Sequence, residues 1–464
     1  MYNLLPFNFT RLSNSEVLVN ELGDMVIAPN GTVDAVVNHS LPSNDLYKTL
    51  VANHFIYEGI VPPLIDVYAL RLRTKKCFLD DFTSLHIFVL TLRCNQNCVY
   101  CQASSQNEDS ANCSMSKETM DASIKLMFQS PSPKLTVEFQ GGEPSLMLDL
   151  IRYAITEIEK VNETEKRTVT YVLCTNCFNL TDGLLELCQK HNVLISTSVD
   201  GPEWLHNKNR GRTDSYQRVV ANINKARAVL GFDRVSALQT TSELGVNYPL
   251  ETIDEYVNLG FHSIFIRALN PYGLASQNND WKQYTERFIE FYKKALDYIV
   301  EKNKQGVFFV EEFAVIVLRK ILTPFTTGFV DLQSPAGIIN SVLVYNYDGY
   351  VYASDESRML AEAKDYTFRL GKATDDYEKI VCGDTAKQCA KVWANECIAG
   401  CSDCALKTYC GADPVRNYST QGDMYGYRPT SLLCKKNKAI IEYIISMIID
   451  RGDEVLPIFR SWLL

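Results

Sequence analysis

The chain has 464 residues, 46% of them hydrophobic and 22% charged, and its 46 Lys+Arg against 55 Asp+Glu give a net charge of -9. That length and composition predict roughly two to four domains with real cores and exclude a disordered tail. The acidic balance argues against a broad nucleic-acid-gripping face and leaves room for no more than a local basic groove.

The start, Met1-Tyr2-Asn3-Leu4-Leu5-Pro6-Phe7, has no cationic region leading into an apolar one. Apolar stretches such as Ala439 to Ile449 are interrupted by Glu442 and fall short of a membrane span. A cytoplasmic protein with no membrane partner is expected. In a reducing compartment its 15 Cys cannot form a disulfide framework, so the seven that fall in two clusters need a metal or catalytic reason.

Residues 1–83 read as a small α+β module. Val17 to Asn20, Met25 to Ala28 and Thr32 to Val36 are expected as short strands punctuated by Gly23 and Asn30-Gly31, and Ser43 to Phe55 as a helix. Residues 84–305 alternate β-rich apolar runs (Leu85 to Leu92, Leu135 to Phe139, Thr168 to Leu173, Val193 to Val199, Val235 to Thr240, Ile264 to Ala268) with amphipathic stretches such as Met120, Ile124, Met127 and Ile151, Ile155, Ile158. This α/β alternation predicts a parallel sheet with helical crossovers, a partial (β/α)6 barrel in place of a complete eight-fold one. Residues 306–464 form the third region. Helices are expected over Trp281 to Asn303 and Glu311 to Leu322, a hairpin from Ile338 to Tyr352 around Asp348-Gly349, and an amphipathic helix over Ala439 to Ile449. The Cys-rich stretch from Cys382 to Cys434 reads as irregular, metal-held chain.

After the first strand comes Arg93-Cys94-Asn95-Gln96-Asn97-Cys98-Val99-Tyr100-Cys101, a C-x3-C-x2-C loop. Three close thiols at a strand end fit a [4Fe-4S] cluster with one iron open to another ligand. A zinc knuckle is the alternative, but structural zinc prefers four ligands and no fourth Cys or His is nearby. The second strand ends in Phe139-Gln140-Gly141-Gly142-Glu143-Pro144, where glycines let a ligand press on the backbone and a carboxylate is at hand for an ammonium group.

Together the two motifs resemble the radical S-adenosylmethionine (SAM) superfamily, and the resemblance implies a radical SAM barrel. In that superfamily the SAM amine and carboxylate chelate the open iron, and the 5′-deoxyadenosyl radical released by reductive cleavage takes hydrogen from a substrate. Carried over by motif, Cys94, Cys98 and Cys101 hold the cluster, Tyr100 packs near the adenine, and Gln140, Gly141, Gly142 and Glu143 serve the methionyl end. Thr175-Asn176 stands where the family often has Thr-Asn-Gly, with Cys177 in place of the glycine, so Asn176 joins the cofactor set. Ser198-Val199-Asp200-Gly201-Pro202 with His206 and Arg210 resembles the peptide-modifying branch, which implies that Ser198 contacts the ribose. Leu269 is expected to meet adenine through its backbone. For His206 and Arg210, hydrogen bonds that order the loop and a part in catalysis both stay open.

Cys401-x2-Cys404-x5-Cys410 with Cys434 downstream has the look of a four-thiolate site, zinc or iron-sulfur. Behind a radical SAM core it resembles a SPASM extension, which implies an auxiliary [4Fe-4S] cluster. The full pattern has seven Cys, and here Ser334, Ser354 and Pro414 stand at three ligand positions of the inner cluster. The outer cluster alone is expected; Cys382, Cys389 and Cys397 are substitutes for the lost ligands or ordinary thiols. Asp355 stands where sulfatase maturases carry the base, which makes it the candidate catalytic residue, or else it pairs with Arg358.

The stretches Ser354 to Glu362, Tyr409 to Val415, Arg428 to Ser431 and Val19 to Gly23 resemble the radical SAM maturase of the His-Xaa-Ser system. The resemblance implies an enzyme that modifies a precursor peptide or small protein, fed by an electron donor such as flavodoxin or ferredoxin. Alternatives are formylglycine formation in sulfatases and a non-catalytic electron-transfer or zinc-structured binding protein. The N-terminal module is expected either to capture a leader peptide by strand addition or to cap the open barrel.

Overall fold

The computed structural model describes residues 2–277, 280–325, 327 and 330–464. Its centre is a sheet in which Leu85–Thr91, Lys134–Gly141, Thr168–Cys174, Leu194–Ser198, Val235–Thr241 and Ser263–Ala268 follow one another, each parallel to the next. These are the six expected strands. Period-two alternation explains what they enclose: on Lys134–Gly141 the side chains of Leu135, Val137 and Phe139 are buried on the face covered by helices, while Thr136, Glu138 and Gln140 face an interior cavity. The outer face is closed by helices such as Lys117–Met127 and Leu148–Glu165, the latter burying Leu150, Ile151, Ala154, Ile155 and Ile158. Ser116 starts the first of these by accepting a hydrogen bond from the Thr119 amide.

The sheet does not stop at six strands. Val310–Glu311 pairs in parallel beside Ser263–Ala268, and Val342–Tyr345 pairs in parallel with Leu85–Thr91 at the other edge. Tyr350–Tyr352 and Arg369–Lys372 then add antiparallel, completing ten strands. The expected hairpin around Asp348-Gly349 is therefore present, with Gly349 at φ 83°, and it is a continuation of the barrel sheet. The helix that follows, Asp355–Glu362, reaches the cysteine loop through Arg358, which donates to the Ala103 carbonyl.

The N-terminal module is an antiparallel meander of Phe7–Leu12, Ser15–Asn20 and Met25–Pro29. The expected strand at Thr32 to Val36 is a helix, Thr32–Val37. Its β-branched residues favour strands in isolation, but Gly31 turns the chain at φ 87° and the buried carboxylate of Glu16 accepts the Val33 amide at 2.8 Å, satisfying a helix start. Tertiary context overrides propensity here. The expected helix over Ser43 to Phe55 is Asp45–Ala52, capped by Asn44.

Alternation on Ser15–Asn20 splits two cores. Leu18 packs with Tyr2, Val26 and Phe55 inside the module, whereas Val17 and Val19 join the main core of the chain. The module docks on the second cysteine loop through the Lys407–Glu21 ion pair at 2.8 Å, the Tyr409 hydroxyl donating to the Gly23 carbonyl at 3.0 Å, and Asn8 donating to the Ser402 carbonyl.

Helices Trp281–Lys304 and Glu312–Leu322 lie as expected. The last one, Leu432–Ser461, is much longer than Ala439 to Ile449 and bends at Arg451. The stretch from Cys382 to Cys434 is less irregular than expected, holding the short helices Asp384–Ala390 and Pro414–Gln421. Among the described residues no helix is long and apolar enough to cross a membrane.

Candidate active site

The C-x3-C-x2-C loop leaves the end of the first barrel strand and is clamped by two later loops. Val99 donates its amide to the Asn209 carbonyl at 2.9 Å, Gln96 donates to the Ser215 hydroxyl at 2.7 Å, and the Leu274 amide donates to the Cys101 carbonyl at 2.8 Å. Gly211 is required for this closeness: at φ +69° a Cβ would stand 2.6 Å from the Asn97 carbonyl oxygen.

Gly141 and Gly142 are needed for a related reason. Gly141 has φ +148°, and a Cβ on it would fall 2.1 Å from the Thr91 oxygen; one on Gly142 would fall 2.4 Å from the Leu92 and Arg93 oxygens. The space a side chain would fill belongs to the first strand's end, so these glycines let two backbone segments meet. Gly142 and Glu143 donate their amides to Thr91 and Arg93 across that contact, at 2.7 and 2.8 Å. The Glu143 carboxylate is fully buried. It accepts from the Ser145 amide at 3.0 Å, the Thr175 hydroxyl at 2.6 Å and the Asn176 amide at 2.8 Å. Burial pushes its pKa above the usual carboxylate range against the pull of these bonds.

Against the cysteine loop, Asp200 and Arg210 of the Ser198 to Arg210 motif form a polar knot with Tyr100. The Tyr100 hydroxyl donates to both oxygens of Asp200, at 2.8 and 2.7 Å, and Arg210 grips the same carboxylate through Nε at 3.1 Å and Nη2 at 2.7 Å. Burial works against the charge on Asp200, but Arg210 and the His206 ring hold its pKa below the ordinary value. His206 is itself used in ordering the loop: Nδ1 accepts from the Asp200 amide and Nε2 meets the Ser215 hydroxyl at 3.0 Å.

Cys94, Cys98 and Cys101 line a cavity of about 270 Å³ together with Tyr100, Gln140, Gly142, Asn176, Ser198, Asp355 and Glu356. Asn176 Nδ2 lies 3.8 Å from the Cys94 sulfur, and Arg210 Nη1 lies 3.8 Å from that of Cys98. Leu269 is buried and its amide donates to the Tyr284 hydroxyl, leaving Ala268 and Asn270 to line the wall. Gln140, Leu238, Arg267, Asp355 and Glu356 also line a second cavity of about 730 Å³ inside the barrel, so the two spaces adjoin. Inward positions of the strands furnish that cavity with Glu138, Cys174 and Ser196, residues findable only by continuing the period-two count through each strand. Asp355 is held by Arg358 at 2.8 Å.

The donor set fits an iron-sulfur cluster: burial pushes the Cys94 thiol up to about 12 and that of Cys98 to about 11, so both stay protonated until a metal displaces the proton. Among the described residues no three His, Cys, Asp or Glu converge closely enough to hold a single ion. Thiolates on separate irons of one cubane do not have to converge in that way.

Cys401, Cys404, Cys410 and Cys434 come within electrostatic reach of one another. Arg428 Nη1 lies 3.8 Å from the Cys401 sulfur and Asn437 Nδ2 lies 3.7 Å from that of Cys410. The residues at the inner-cluster positions have structural work of their own. Ser354 caps the helix Asp355–Glu362 in a reciprocal box with Ser357, Pro414 opens Pro414–Gln421, and Ser334 donates to Glu396 while accepting the Asn395 amide. Cys382 and Cys397 are exposed and Cys389 is buried.

Residues 88–255 match the Radical SAM superfamily. A cysteine-type anaerobic sulfatase-maturating enzyme of Clostridium novyi (strain NT) is 28% identical over 137 residues, 28% of this chain and 36% of that one; the chain thus matches about a third of that relative's length. A second enzyme of that description, from Clostridium perfringens (strain ATCC 13124), is 21% identical over 339 residues, 67% of this chain and 86% of the relative. Among solved structures, native anSMEcpe with bound AdoMet aligns at TM-score 0.63 and 16% identity over 80% of this chain and 100% of that one. Streptococcus suis SuiB bound to its precursor peptide SuiA aligns at TM-score 0.53 and 11% identity over 94% and 100%. Residues 88–255 thus form a radical SAM domain, a family whose cofactors are a [4Fe-4S] cluster and SAM, and the chain shares the fold of these two solved structures.

Proposed function

We propose that the chain is a radical SAM maturase that modifies a peptide or small protein. The observation that carries this reading is the adjacency of two spaces: three thiols with Gln140 and Gly142 at the smaller cavity, and a larger, polar-walled cavity directly inward of it. A cluster held by Cys94, Cys98 and Cys101, with SAM, supplies a 5′-deoxyadenosyl radical that takes hydrogen from the substrate. The chain's own residues position the reactants. Glu143 joins the ends of the second and third strands into one wall and, with Gln140, Gly141 and Gly142, serves the methionyl end. Tyr100, Asn176, Ser198 and the backbone around Leu269 serve the adenosine side.

Cys401, Cys404, Cys410 and Cys434 hold one auxiliary [4Fe-4S] cluster in this reading, and the inner one is absent. Asp355 is the proton acceptor that the resemblance singles out, but its ion pair with Arg358 favours its neighbour. Glu356 carries no ion pair and no hydrogen bond to another residue's side chain among the described residues, and it lines both cavities. The finer assignment, maturation of His-Xaa-Ser peptides in the cytoplasm with flavodoxin or ferredoxin as electron donor, rests on the stretches that resemble that subfamily. Formylglycine formation is the second reading, favoured by the sulfatase-maturating relatives.

The test is anaerobic reconstitution with a strong reductant, followed by assay for 5′-deoxyadenosine. Incubation with synthetic His-Xaa-Ser peptides and with a sulfatase-type cysteine peptide, read by mass spectrometry, then separates the two substrates. Undiminished SAM cleavage after replacement of Cys94, Cys98 and Cys101 by Ala would overturn the cofactor assignment.

A further inference from the structure

Arg358 belongs to the C-terminal region by sequence and to the cysteine loop by contact. It sits on the helix Asp355–Glu362, is 1% exposed, and donates from Nη1 to the Ala103 carbonyl at 3.0 Å, two residues after Cys101. Nη2 is taken by Asp355 at 2.8 Å. Nε is buried and has no partner among the described residues. Such an orphaned donor in a low-dielectric site is costly unless something accepts its hydrogen. Arg358, Ala103 and Cys101 line the same cavity, and the guanidinium lies within electrostatic reach of the Cys101 sulfur.

We propose that Arg358 is a positioning residue for the first iron-sulfur cluster, tying its loop at Ala103 and directing a buried positive charge and a free N–H toward the sulfur shell at Cys101. This rests on the radical SAM reading of the cavity. A positive charge favours the more negatively charged, reduced form of a cluster and therefore raises its midpoint potential. Asp355, on this account, holds the guanidinium in place, and the fold makes competence of the cluster depend on a correctly docked C-terminal helix.

Electrostatics makes a prediction of sign that a merely structural tether does not. In the full reconstituted chain, Arg358→Gln shifts the midpoint potential of the first cluster negative, read by redox titration of its EPR signal, which the addition of SAM identifies. Asp355→Asn, which leaves the guanidinium and removes the opposing charge, shifts it positive. Arg358→Lys restores most of the wild-type value because the charge is kept, while iron retention stays lower because the Ala103 tether is lost. Unchanged potentials, or shifts of one sign in both Arg358→Gln and Asp355→Asn, overturn the proposal. If Arg358→Gln binds no iron, the positive shift in Asp355→Asn decides, and its absence is equally fatal. Wild-type protein that forms no SAM-responsive cluster instead refutes the radical SAM reading itself.

Discussion

Asp200 and Arg210 form a buried two-bond ion pair, 2.7 and 3.1 Å, that ties the fourth barrel strand's loop to the helix lying against the cysteine loop. Each Asp200 oxygen also accepts from the Tyr100 hydroxyl, and Arg210 reaches on toward Cys98. The cysteine loop and the stretch from Asp200 to Arg210, a hundred residues apart, thus share one charge pair directly behind Cys98.

Breaking one side of such a pair leaves the other charge buried and uncompensated, a loss of about 3–5 kcal/mol. Asp200→Asn is expected to lower stability by that order in chemical denaturation and to reduce iron retained at the first site. Acid should do the same to the wild type. The folded pKa of Asp200 is depressed, so its contribution is present above the unfolded carboxylate value near 3.9 and is lost as pH falls below it.

Two histidines set a second, milder acid window. Burial holds His86 down to about 3 and His206 down to about 4, against an unfolded value near 6.5. Between those values the unfolded chain binds more protons than the folded one, so stability falls as pH drops from about 6.5 toward 4. His206→Gln, which keeps a donor and an acceptor, is expected to flatten part of that slope in urea titrations across pH 4 to 7. An unchanged slope would mean that His206 already titrates normally in the folded state.

The six strands were legible because apolar period and turn signals agree along them, and both cysteine loops because thiol spacing is a local property. What the local pattern hides is the use made of each motif by distant backbone. Nothing near Gly141 in sequence says that the Thr91 oxygen will occupy its side-chain space, and nothing near Arg358 points to Ala103, some two hundred and fifty residues earlier. The helix at Thr32–Val37 is hidden from local pattern for a similar reason, since its start is satisfied by Glu16 from a neighbouring strand. The sheet's extension by Val342–Tyr345 depends on pairing with Leu85–Thr91, a non-local choice.

Docking of the N-terminal module on Cys401 to Cys410 bears on its role. Deleting residues 1–80 strips Glu21 from Lys407, Gly23 from the Tyr409 hydroxyl, and Val17 and Val19 from the main core. The truncated chain is therefore expected to lose iron from the C-terminal site before the first, as well as any leader-peptide affinity. Full C-terminal iron in the truncated protein, with peptide binding alone lost, would mark the module as a recognition element with no structural share.

Iron counting tests the auxiliary assignment. With Ser354 and Pro414 committed to helix starts and Ser334 bonded to Glu396 and Asn395, about eight irons per chain are expected, as two [4Fe-4S] clusters. Replacing Cys94, Cys98 and Cys101 should leave about four. Twelve irons by elemental analysis and Mössbauer spectroscopy would mean that other thiols rebuild the inner site; zinc would make the C-terminal region a structural ribbon.

Glu356 is the sharpest test of the chemistry. Burial first, then the neighbouring charges of Asp331, Asp355 and Asp413, push its carboxyl up to about 8. A proton acceptor with that value works better as pH rises toward and past 8, because only the ionised form accepts. Glu356→Gln is therefore expected to lower the yield of modified peptide per 5′-deoxyadenosine by about 10²–10⁴-fold, of the order removed with a general base, and to abolish that pH dependence while SAM cleavage continues. The same substitution has a substrate-free signature. A carboxyl whose folded pKa lies above its unfolded value near 4.3 keeps its proton longer in the native state, so it destabilises the fold progressively from pH 4.3 to about 8. Glu356→Gln should accordingly be more stable than wild type at pH 8 and nearly equal to it at pH 4. Asp355→Asn removes one of the charges that push Glu356 up, so it is expected to move the pH profile of peptide modification to lower pH without abolishing it; loss of that profile in Asp355→Asn, with Glu356→Gln unaffected, would return the proton-accepting role to Asp355.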